Sequence, residues 1–119
     1  MTVVTYGMGV HWIMALAGEM PEMDIEVIDL RTLLPWDRET VFASVEKTGR
    51  CLVLHEDTHT GGFGGEIAAT VAEERFGALD APVMRAASLD TPVPFNRALE
   101  EQFLAKSRLA EKLRRLMEY

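Results

Sequence analysis

Short runs rich in β-branched residues alternate along the chain with segments whose apolar residues recur at helical spacing, the pattern of an α/β sheet domain. The run Val3 to Tyr6 predicts a first strand. Gly7-Met8-Gly9 then turns the chain into a helix whose inner face carries Val10, Ile13, Met14 and Ala17, and Pro21 stops it. Ile25 to Leu30 predicts a second strand. Pro35-Trp36-Asp37 opens a second helix, with Asp37 placed to cap it, Val41, Phe42 and Val45 turned inward, and Gly49 ending it. Cys51 to His55 predicts a third strand. After a glycine-rich turn, a third helix sets Ile67, Val71 and Glu74 on one line beside Ala68, Ala72 and Phe76, the alanines permitting close packing on a sheet. Pro82 to Ala87 predicts a fourth strand, the loop from Asp90 to Pro94 is stiffened by two prolines, and Leu109, Leu113 and Leu116 mark a helical tail. The economical topology is a three-layer α/β/α domain with a mainly parallel sheet of four to five strands and helices on both faces.

Composition narrows the class. With 119 residues, 48% of them hydrophobic and 26% charged, the chain reads as one ordinary globular domain over residues 1–119. A net charge of −7 opposes binding to a phosphate backbone, so no nucleic-acid partner is expected. No apolar run approaches the ~18 residues of a membrane span, and the N-terminus has no basic leader, so the chain is read as cytoplasmic with no membrane partner. The one cysteine, Cys51, lies inside an apolar run and is expected to pack as a small hydrophobe.

Several segments carry candidate chemistry. His55-Glu56-Asp57-Thr58-His59 satisfies the His-Glu-x-x-His pattern, which needs a continuous helix to aim both imidazoles at one zinc ion. Here His55 ends a strand pattern and glycines follow His59 at once, so no metal site is expected. Gly7-Met8-Gly9 with Asp29 about twenty residues on has part of a dinucleotide fingerprint, but Trp12 occupies the place of the third glycine. Gly61-Gly62-Phe63-Gly64-Gly65 opens a helix, where free N–H groups suit an anion, yet it lacks a P-loop lysine and carries Glu66 in its first turn. A turn or domain-interface role for Gly61, Gly62, Gly64 and Gly65 is favoured; a free-standing anion-binding module is the alternative. Glu56 and Asp57 form a carboxylate pair at a strand end, where exposed pairs are usually solvated. No nucleophile elbow is present, so no catalytic or cofactor-binding residue is assigned. The basic stretch Lys106, Arg108, Lys112, Arg114 and Arg115 reads as a solvated helix face.

Taken in order, Val3-Val4-Thr5-Tyr6-Gly7, Glu26 to Asp37, His55-Glu56-Asp57 with Gly61 to Ile67, Asp80 to Arg85, and Asp90 to Phe95 resemble the transketolase C-terminal-like domain of E1 β subunits of pyruvate and branched-chain 2-oxo acid dehydrogenases. The resemblance covers almost the whole chain. It implies a non-catalytic assembly and partner-binding domain, inactive alone, excised from a longer E1 polypeptide. It places thiamine diphosphate and magnesium in other domains of the parent enzyme, with none in this one. The implied partners are the E1 α subunit or region, a second E1 β copy and the peripheral subunit-binding domain of E2, the last met by Asp80 and Tyr119. Arg31, Glu56 and Arg85 become polar anchors at domain contacts. A bare sheet edge further implies a homo-oligomer. Another transketolase-like enzyme, a deoxyxylulose-phosphate synthase or a 2-oxoacid oxidoreductase, is the enzymatic alternative.

Overall fold

A computed structural model describes all residues, 1–119. The strands are β1 (Thr2–Thr5), β2 (Glu26–Asp29), β3 (Cys51–Thr58) and β4 (Met84–Ser88). The helices are α1 (Met8–Glu19), α2 (Arg38–Thr48), α3 (Gly64–Glu74), α4 (Arg97–Phe103) and α5 (Lys106–Met117). The sheet has four strands in the order β2-β1-β3-β4, and every pairing is parallel. Parallel strands buried on both faces read as continuous apolar runs, which is why Cys51 to Leu54 shows no alternation.

Successive strand residues feed opposite layers. Val3, Leu52, Leu54 and Ala86 meet Trp12 and Ile13 of α1 and Leu109, Leu113 and Leu116 of α5. Val4, Ile28, Cys51 and Val53 meet Val41, Phe42 and Val45 of α2 and Ile67 and Val71 of α3. The three-layer architecture follows. Cys51 is wholly buried, and burial pushes its thiol up to about 12, so it packs without reacting.

Local chemistry sets the helix ends. Asp37 caps α2 by accepting from Thr40 N at 3.0 Å, and Gly49 closes it at φ 69°. Beneath β1, Thr2 Oγ1 lies 2.6 Å from Ser44 Oγ and 2.7 Å from Thr48 Oγ1, satisfying hydroxyls that strand and helix bury together.

Two helical faces differ from those the spacing predicts. α1 buries Gly9, Trp12 and Ile13, with Leu16 packed behind them, whereas Met14 is 58% exposed. The cause is Gly9, where a Cβ would stand 2.1 Å from Thr5 Oγ1 and 3.3 Å from Leu54 Cγ. Close helix–strand approach is therefore made at Gly9, and Trp12, far from obstructing that contact, joins the core. In α3, Ile67 and Val71 are buried with Gly64 and Thr70, but Glu74, Ala72 and Phe76 face outward. The tail is two helices rather than one, broken at Leu104-Ala105. Arg108 staples the break, donating to the carbonyls of Gln102, Phe103 and Ala87.

Candidate functional site

Strand order places a topological switch between β1 and β3: α1 leads from β1 to one edge, while α3 leads from β3 to the other. Open α/β sheets put function outside the carboxyl ends of the strands at such a point. The residues delivered there are Tyr6 and Gly7 from β1 and His55 to Thr58 from β3.

β3 carries an irregularity that the sequence did not announce. Between Leu54 and Thr58 it advances four residues while β4 advances two, from Ala86 to Ser88. Within this bulged stretch His55 is buried, while Glu56 and Asp57 are exposed. Ser88 Oγ donates across it to the Glu56 carbonyl at 2.6 Å. The His-Glu-x-x-His string is thus strand and turn, and no group of three His, Cys, Asp or Glu side chains is placed to hold a metal.

The His55 ring is fully buried, stacked at 6.3 Å and 11° on Tyr6. On its other side the glycines close in. A Cβ on Gly62 would stand 2.6 Å from Cε1, and one on Gly64 would stand 2.2 Å from Cδ2 and 2.4 Å from Nε2. Gly61 supplies the turn itself at φ 80°. The glycine-rich segment is therefore a glove around an imidazole, and Gly65 is left to line a groove beyond it. Burial holds the His55 pKa below the usual imidazole range; Asp57 opposes that shift, while Arg85 and His59 add to it. Neither ring nitrogen has a hydrogen-bond partner. Burial, with help from Asp57, raises the Tyr6 phenol above its ordinary value.

The loop is tied to the end of β4. Thr60 donates through N and Oγ1 to the two carboxylate oxygens of Asp90, each at 2.7 Å, and these bonds hold the Asp90 carboxyl below its ordinary range. Arg85 Nη1 donates to the His59 carbonyl at 2.8 Å, and His59 N to the Ser88 carbonyl at 3.0 Å.

The remaining singled-out residues are dispersed. Arg31 pairs with Asp29 at the carboxyl end of β2, its side chain 87% exposed. Asp80 lies at the opposite edge, before β4, its N–H donating to the Gly49 carbonyl at 2.8 Å and its carboxylate folded over Gly49. Tyr119 follows α5 and is exposed. Asp80, Gly65 and Arg85 share one feature that sequence reading missed, a groove of about 740 Å³ between α3 and β4. Its only sequence signal was the small-residue row Gly65, Ala68, Ala69 and Ala72, which reads equally well as helix packed on sheet.

Sheet order and crossovers define the class: an open, parallel, doubly wound α/β domain. Within that class the chain belongs to the family of transketolase C-terminal domains, whose family model matches residues 1–108. It is 44% identical over 118 residues to the 2-oxoisovalerate dehydrogenase subunit beta of Pseudomonas aeruginosa, covering 99% of this chain and 33% of that protein. It is 43% identical over 119 residues to the pyruvate dehydrogenase E1 component subunit beta of Mycoplasma pneumoniae, covering 98% of this chain and 36% of that one. The chain thus spans about a third of the length of these relatives. Among solved structures, one described as a split gene transketolase, inactive beta4 tetramer, matches with a TM-score of 0.79 at 24% identity, covering 98% of this chain and 38% of that one. That likeness concerns the fold.

Proposed function

We propose that this chain is the C-terminal assembly and partner-binding domain of the β subunit of an E1 component, in a thiamine-diphosphate-dependent 2-oxo acid dehydrogenase, and part of a longer polypeptide. The observation that carries the reading is an apolar rim at the carboxyl edge of the sheet. Leu34 after β2 is 81% exposed, Val93 and Phe95 after β4 are 60% and 106% exposed, and Met8 after β1 joins them. A soluble domain that leaves large side chains bare on the loops of one edge is finished by neighbouring protein. Arg31 and Glu56 stand on that edge as polar anchors among apolar contacts.

In this reading the rest of the subunit and the E1 α subunit cover the rim, and oxidative decarboxylation belongs to the whole enzyme, in the cytoplasm. No helix of the chain is long and apolar enough to cross a membrane. Thiamine diphosphate and magnesium are held by the parent's other domains. Asp80 and Tyr119 are assigned to the E2 peripheral subunit-binding domain, where the exposed Asp80 carboxylate would speed capture of a basic partner.

The test is a chimera. This chain replaces the matching third of the Pseudomonas aeruginosa subunit, which is then combined with its E1 α partner and assayed for 2-oxoisovalerate decarboxylation. Assembly with activity supports the reading. A folded chimera that fails to assemble, or that assembles equally well with Phe95→Ser and Leu34→Ser, counts against it. Calorimetry against the E2 domain, with and without Asp80→Ala, tests the docking assignment.

A further inference from the structure

We infer that the turn from Gly61 to Gly65 is a proton-operated latch: a proton taken up by His55 opens the turn and the start of α3 while the sheet stays folded. The latch is a property of this chain alone and does not depend on the assembly reading above.

Three features carry it. First, the closed turn has no place for a charged ring. His55 is wholly buried and neither of its ring nitrogens has a hydrogen-bond partner. An imidazolium carries two N–H donors. Charging the ring in place would bury a cation whose donors meet no acceptor. Once the turn swings away, a proton from solvent settles on the ring and both N–H groups reach water.

Second, the surroundings oppose the charge from nearly every side. β4 brings the Arg85 guanidinium and the end of β3 brings His59, both of which disfavour a charged His55. α3 points its N-terminus at the ring, for a Cβ on its first residue, Gly64, would overlap the imidazole. That end of a helix is the positive pole of its dipole. β1 offers the Tyr6 ring, stacked and uncharged. Glu66, in the first turn of α3, is exposed, and Asp57 is the carboxylate that favours the charged ring.

Third, the turn can move by itself. The residues against the ring, Gly62 and Gly64, have no side chain to withdraw from a core, and half-buried Phe63 is the one apolar side chain the segment must lift. Its ties are polar: two surface bonds from Thr60 to Asp90, and the bonds that Arg85 and Ser88 make to the backbone of His59. The ladder beneath it is already interrupted at the bulge in β3. Segments with few buried apolar contacts open at a lower free energy than the whole domain. β1 and β3, by contrast, are paired on both sides.

Amide hydrogen exchange of the full chain, followed by NMR between about pH 7.5 and 5, tests the latch. The amides to watch are those of His59, Gly65 and Glu66, which donate to Ser88, Gly62 and Phe63. The open form takes up the proton at an ordinary imidazole value of about 6.5 and the closed form refuses it, so the opening constant rises about tenfold per pH unit below that value. Protection of these amides, corrected for intrinsic exchange, is expected to fall by that factor while staying well below that of β1 and β3. In His55→Gln it should be independent of pH, and in His59→Gln the slope should persist. A variant whose turn is looser at every pH still answers, because the slope is read and not the level. Flat protection in the parent chain, turn amides as protected as those of β1, a slope that survives in His55→Gln, or one lost in His59→Gln would each overturn the inference.

Discussion

Two helical layers cover the same four strands, and they are finished differently. α5 buries Leu109, Leu113 and Leu116 almost completely and gives charged residues such as Arg114 and Arg115 to solvent. α3 also buries its inner row, Ile67 and Val71, yet its outer surface carries Ala69, Ala72 and, just past its end, Phe76. A surface shaped for water has long polar side chains that lose little by staying mobile; a surface of alanine beside bare phenylalanine gains by being covered. The difference is that one layer is finished with polar side chains within the chain, while the other leaves small apolar side chains and a phenylalanine bare.

The sharpest way to break that comparison is to cut into the finished layer. Leu113→Ala removes a side chain with no exposure from the centre of the α1/α5 cluster and is expected to cost about 2–5 kcal/mol in chemical denaturation, with the spread set by how far the cavity collapses. Next comes Gly64→Ala. Its Cβ would stand 2.2 Å from the His55 ring, and the ring is held by Tyr6 behind it, so overpacking should cost about 1–3 kcal/mol. An unchanged melting temperature would show that the imidazole has room to move.

A smaller effect concerns pH. Burial lowers the folded-state pKa of His55 below its unfolded value. Above about 6.5 the imidazole is neutral in both states and the contribution is whole. As pH falls through that value the unfolded chain takes up a proton that the folded chain refuses, so stability is lost, and the loss ends only below the folded-state pKa. Denaturation midpoints measured against pH should therefore fall less steeply in His55→Leu than in the parent chain. Equal slopes would mean that the ring protonates without unfolding. Smallest of all, Phe76→Ser should leave the stability of the diluted monomer within about 0.5 kcal/mol, as expected of an exposed site. Set beside Leu113→Ala, that near-silence would confirm that the two layers differ in kind, and a large loss would abolish the distinction.

Much of the framework was legible from local chemistry. Strand-forming runs, the Asp37 cap and the Gly49 terminus depend on neighbours within a few residues; the cap and the terminus stand where foretold, and the four strands lie where expected except that β3 continues past His55 to Thr58 and the other strand ends shift by one or two residues. Motif order along the chain also sufficed to place it beside the transketolase C-terminal domains. The rotational setting of α1 was not legible, because both Val10-Ile13-Met14-Ala17 and Gly9-Trp12-Ile13-Leu16 satisfy helical spacing. The choice between them was made by Thr5 of β1 and Leu54 of β3, which press on Gly9.

The bulge in β3 was hidden for the same reason. Nothing in His55-Glu56-Asp57 distinguishes a regular strand from one that advances four residues against two, until β4 is beside it and Ser88 and Arg85 supply the bonds that hold the loop. Likewise the alanines of α3 signalled a close packing partner without saying where. The sequence by itself determined most of the elements and their order, which follow from periodicity and capping over short stretches, and the order of its motifs carried the resemblance to the family. Only the tertiary structure decided which way α1 faces, that His55 is enclosed by glycines, and that a groove lies open beside α3, because each depends on how strands, turns and helices pack against one another, which periodicity along a short stretch does not carry.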